Sequence, residues 1–63
     1  MKTYTIEDVE KALTNEWLTT EEVENRLVGY NSSLLFMLED LVRRGKALAL
    51  RRGGERIWKG VGN

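Results

Sequence analysis

The stretch "YNSSLLFMLEDLVRRGKALAL", residues 30–50, begins as a helix and finishes as the first part of a strand. Leu34, Leu38 and Leu41 recur at helical spacing and mark one face of an α-helix. Asn31 is placed to cap it, Ser32 and Ser33 fill its first turn, and Gly45 ends it. Arg43 and Arg44 stand at its C-terminal end, where cations meet the negative pole of the helix dipole. Together these signals predict a helix over residues 32–44. At about 100° per residue, Leu34, Leu35, Met37, Leu38, Leu41 and Val42 form a broad apolar face. Phe36 then falls about 200° from Leu34, in the middle of the outward side, with Glu39 and Asp40 beside it.

Upstream, Thr5 followed by Asp8 reads as a helix start, and Ile6, Val9 and Leu13, with Trp17 beyond them, follow on one face. This predicts a helix over residues 6–15, ended by Asn15. Thr19 and Glu22 have capping-box spacing and open a second helix over 20–28, with Val23 and Leu27 buried and Gly29 as its stop. Only "GYN" (29–31) separates the second helix from the third. So short a link forces a sharp angle, the helix-turn-helix arrangement.

Downstream of Gly45 the period changes to two. In "KALALRRGGERIWKG" (46–60), Gly53-Gly54 supplies a two-residue hairpin turn that needs positive φ. The predicted hairpin covers residues 47–59, with Leu50 opposite Ile57, Ala49 opposite Trp58, Arg51 opposite Arg56 and Arg52 opposite Glu55. Leu48, Leu50 and Ile57 are expected to close the core. Ala49, Arg51, Arg56 and Trp58 would then share the other face, and residues 60–63 would fray.

Composition narrows the function. The 63 residues make one domain, 1–63, which buries only about 60% of its unfolded surface. With neither cysteine nor histidine, the chain has no disulfide framework and lacks the commonest general base and metal ligand. The acid pairs Glu7/Asp8, Glu21/Glu22 and Glu39/Asp40 suit helix electrostatics better than catalysis, and no nucleophile–base pair or phosphate loop accompanies them. An enzyme is not expected, nor a metal or cofactor. No apolar run approaches the roughly 18 residues of a membrane span, and the N-terminus lacks a signal-peptide core, so a soluble, cytoplasmic module is expected. The net charge of zero is unevenly distributed: residues 1–40 hold nine acids and three bases, whereas residues 41–63 hold seven bases and one acid. The balance runs from −6 to +6, and only the C-terminal third is suited to a polyanion.

Three helices followed by a hairpin resemble the winged helix-turn-helix DNA-binding domain. "WLTTEEVENRL" (17–27) resembles that family's entry into the second helix. "SSLLFMLEDLVRRGKAL" (32–48) resembles its recognition helix, with Leu38, Leu41 and Gly45 at L-x-x-L-x-x-x-G spacing, and "ALALRRGGERIWK" (47–59) resembles a wing. The likeness covers about residues 6–59. It implies an α+β fold, double-stranded DNA as partner, the third helix in the major groove and the wing on the backbone or minor groove. A small transcriptional regulator or accessory factor is the function this implies; a three-helix domain with a disordered basic tail is the rival fold.

Ser32, Ser33, Arg43, Arg44, Lys46, Arg51, Arg52, Arg56 and Lys59 are the candidate DNA contacts. Arg51 facing Arg56 costs the hairpin some stability unless an anion lies between them; edge protection is the plain alternative. The outer face of the third helix lacks Arg, Lys, Asn or Gln at its central positions, so bidentate base reading is poor there. Phe36, Glu39 and Asp40 instead suit a protein interface, whether a homodimer or a heterologous partner. Phe36 could also be an ordinary exposed aromatic resting on Tyr30, or touch a thymine methyl. Trp17 and Trp58 are expected to pack, with base or guanidinium stacking as the other role for Trp58.

Overall fold

The computed structural model describes residues 3–61. In chain order it has α1 (Ile6–Ala12), β1 (Leu18–Thr19), α2 (Thr20–Asn25), α3 (Leu34–Arg43), β2 (Ala47–Arg52) and β3 (Glu55–Gly60). It is a small α+β domain: three helices against a three-stranded antiparallel sheet of order β1-β3-β2. No helix among the described residues is long and apolar enough to cross a membrane.

Both upstream helices start on complete capping boxes. Thr5 Oγ1 accepts the Asp8 N–H at 3.3 Å, and Asp8 Oδ2 accepts the Thr5 N–H at 2.9 Å. Thr19 and Glu22 repeat the exchange at 3.1 and 2.8 Å, so each helix entry has two backbone donors satisfied. All three helices are shorter than the sequence suggests. α1 ends at Ala12 rather than 15, because Leu13 is already extended and turns its side chain into the core. α2 ends at Asn25 rather than 28, with the chain turning at Gly29.

α3 begins at Leu34 rather than 32, and Ser33, not Asn31, occupies the cap position without a side-chain bond. Asn31 works one step earlier. Its Oδ1 accepts the Ser33 N–H at 2.8 Å, while its Nδ2 donates to the Tyr4 carbonyl at 3.2 Å. Tyr4 is 3% exposed and its hydroxyl donates back to the Asn31 carbonyl at 3.0 Å, which ties the N-terminal segment to the α2–α3 turn. Sequence reading missed Tyr4. At the other end of α3, Gly45 at φ 76 lets the Lys46 N–H reach the Leu41 carbonyl at 2.8 Å, a Schellman closure.

The hairpin register is the expected one: Leu50↔Ile57, Ala49↔Trp58, Arg51↔Arg56 and Arg52↔Glu55. Gly53 and Gly54, at φ 58 and 82, make the turn. The inward face is the reverse of the expected one. Trp58 and Ala47 are 0% and 2% exposed, while Leu48 and Leu50 are 47% and 50% exposed. Both faces of this hairpin are apolar, so alternation does not choose between them. Volume does: a small-residue patch at Ala47 and Ala49 lets α3 approach the sheet, and the largest side chain available fills the space beside it. Trp58 also has its polar atom satisfied, donating its indole N–H to Thr20 Oγ1 at 2.8 Å. A base-stacking role for this buried ring is therefore excluded. Ile57 is 5% exposed on the outer face, flanked in register by Leu50 and Thr19.

β1 was not anticipated. Its two residues pair as Leu18↔Trp58 and Thr19↔Ile57, making β3 the central strand and joining the hairpin to the start of α2. At the far end, expected to fray, Gly60 belongs to β3 and donates its N–H to the Thr14 carbonyl at 2.7 Å. The Val61 N–H reaches the Lys46 carbonyl at 3.2 Å; Gly62 and Asn63 lie outside the described residues.

Candidate nucleic-acid interface

The outward side of α3 is as the sequence suggests at its centre. Phe36 is 73% exposed, and Ser32 and Ser33 are exposed in the turn before the helix. Leu35, expected on the apolar face, is 46% exposed instead. Phe36, Met37, Asp40 and Arg43 of α3, with Ile6 of α1, line a shallow groove of about 320 Å³. Tyr30 is itself 58% exposed, so neither aromatic is buried by the other.

The two acids of this face are both engaged. Glu39 Oε2 accepts from Arg56 Nη1 at 2.7 Å, and Asp40 Oδ2 meets Arg44 Nε at 2.9 Å one helical turn away. Arg56 also lies over the Trp58 ring, 4.8 Å from its centroid. The expected clash between Arg51 and Arg56 is thus relieved inside the chain by Glu39, with no need of an external anion. Sequence reading missed this pairing because it follows from the face of Trp58: Arg56, two residues earlier on β3, shares that face and meets α3.

The seven candidate cations divide accordingly. Arg44, Arg56 and Lys46 are held in ion pairs, Lys46 at 3.8 Å from Glu10, and Lys59 sits 5.4 Å from the centroid of the Trp17 ring. Arg43, Arg51 and Arg52 are exposed and have no acid partner among the described residues. The Arg56–Glu39 contact ties the turn-proximal part of β3 to the middle of α3. Positions 32, 36, 39 and 43 follow at helical spacing along that side, so serine, phenylalanine and a free arginine flank the clasp. With Glu39 and Asp40 paired, the surplus charge at this end of the molecule is positive.

Tyr4 has a perturbed acidity, raised above its ordinary value by burial and by the nearby negative charge of Glu24. It is tied to the α2–α3 turn through Asn31, with a structural role. Among the described residues no group of three or more acids is arranged to hold a metal ion. The chain matches no protein-family model, no curated protein and no solved structure.

Proposed function

We propose that the chain is a small winged helix-turn-helix DNA-binding domain, a transcriptional regulator or accessory factor that contacts duplex DNA through its hairpin and the start of α3. The observation that carries this reading is the Glu39–Arg56 clasp. It ties β3 to α3 beside the exposed side of that helix and neutralises a carboxylate that would repel phosphates. Arg51 and Arg52 at the glycine tip, with Arg43, supply phosphate contacts. Ser32 and Ser33 offer hydroxyls at the helix start, and Arg44, Lys46, Arg56 and Lys59 add charge from their paired positions. Affinity then comes from the backbone rather than from base edges.

Titration of labelled random duplex at two salt concentrations tests the proposal. Three to five phosphate contacts give a log–log salt slope of about −3 to −4.5, and Arg51→Ala with Arg52→Ala flattens it by about two units. Absence of binding at about 50 mM salt, or a slope near zero, would remove the reading.

The exposure of Phe36 above the groove with Ile6 and Met37 favours a second reading, a protein-interaction surface on the same helix. Phe36→Ser separates the two: it leaves the salt slope unchanged if DNA is the ligand and abolishes partner binding if a protein is.

A further inference from the structure

We infer that the open edge of β2 is a self-pairing surface, through which two copies of the chain join their sheets about a two-fold axis at Ala49. This surface is separate from the exposed side of α3, and the inference does not depend on DNA binding. In the order β1-β3-β2, β2 has β3 on one side and, among the described residues, no strand on the other. The phase of its hydrogen bonds is fixed at both ends: the two-residue turn closes on the Arg52↔Glu55 pair, and the Lys46 carbonyl accepts the Val61 N–H. Even-numbered residues of β2 therefore direct their backbone groups to β3. Ala47, Ala49 and Arg51 direct theirs to the open edge.

That edge is complementary to itself. In an antiparallel pairing centred on Ala49, Ala49 exchanges bonds with Ala49 of the second copy, and Ala47 exchanges with Arg51. Leu48 and Leu50, about half exposed on the outer face, fall in the closer, non-hydrogen-bonded pairs, each leucine against the other of the second copy. The register also sets charge. Arg51 faces an alanine rather than its own copy, and the two arginine-bearing tips point to opposite ends. Arg52 comes opposite Lys46, whose ammonium already lies against Glu10. The chain has no proline, and β2 has no acid to interrupt its edge. Six residues at about 3.3 Å each make a contact roughly 20 Å long. Such a contact buries less than the roughly 800 Å² per partner of a stable interface, so the pairing is weak and depends on concentration.

Sedimentation of the wild type over about 5–500 μM is expected to show a monomer–dimer equilibrium with Kd on the order of 100 μM. Ala49→Pro removes an edge donor that β3 does not use, so it stays monomeric while circular dichroism remains that of the folded chain. If that variant misfolds, Leu48→Lys serves the same purpose on the outer face. Register is read with cysteines, which the natural chain lacks. Leu48→Cys and Leu50→Cys chains, mixed and oxidised, should link to each other in preference to themselves. A wild type monomeric throughout, a folded Ala49→Pro that still dimerises, or self-linked Leu50→Cys as the main product would each overturn the inference. So would a monomer that takes up an extended acidic peptide at this edge, which would give the strand to another kind of partner.

Discussion

At Trp58 four elements meet. β3 carries it, Leu18 of β1 and Ala49 of β2 flank it in register, and Thr20 of α2 accepts its indole N–H. Thr20→Val keeps the shape but leaves a buried donor unpaired, which costs about 1–3 kcal/mol. At roughly 4–8 °C per kcal/mol for a domain this small, scanning calorimetry should register the loss as a clear fall in Tm, and an unchanged Tm would contradict the assigned role. Tyr4 makes a prediction of opposite character. Its hydroxyl is harder to ionise in the folded chain than the ordinary value of 10.0. Below pH 10.0 both folded and unfolded chains keep the proton, and the Tyr4 contribution to stability is fully present. As pH rises further the unfolded chain loses the proton first, so stability falls toward the raised folded value. Tyr4→Phe should remove that alkaline slope in denaturant titrations while sacrificing the bond to Asn31. Sequence reading foresaw that Trp58 packs but set it on the wrong face, because its strand's neighbours on both faces are apolar, and it missed Tyr4, which lies before any periodic segment.

Among the elements, what could be read in advance was what local chemistry dictates. The Thr5–Asp8 helix start, the Thr19–Glu22 capping box, a glycine after α3 and the Gly53-Gly54 turn each fix backbone geometry within a few residues, and all four are present. The hairpin register followed from the turn alone. Strand β1 could not be read, because two residues give no period, and its pairing depends on a strand about forty residues away. The Glu39–Arg56 pair was hidden for the same reason. With side chains 39% and 37% exposed, its stabilising effect is screened, and Glu39→Gln should change stability by about 1 kcal/mol or less. On the proposed function its effect on DNA binding has the opposite sign to that of a tip mutation. Glu39→Gln releases Arg56 toward phosphate, so the salt slope steepens by about one unit, whereas Arg51→Ala flattens it by about one. A flatter slope in Glu39→Gln would mean that Arg56 acts only through its place in the clasp.

Over the whole molecule, the fold partly undoes the charge separation written in the chain. The ion pairs seen among the described residues join acids from residues 1–40 to bases from residues 41–63: Glu10 to Lys46, Glu39 to Arg56 and Asp40 to Arg44. Outside these ion pairs, the hairpin tip and the end of α3 carry Arg43, Arg51 and Arg52 against Glu55 alone among the described residues, the positive surplus on which the proposed function rests. The two indoles report on different parts of this arrangement. Trp58 is sealed in the interior, whereas Trp17 is half-buried with the Lys59 ammonium over its ring. Ultraviolet emission from Trp58 is therefore a native gauge of unfolding, and emission from Trp17 a native gauge of whatever draws Lys59 away. A Trp17→Phe chain separates the two signals without any attached dye.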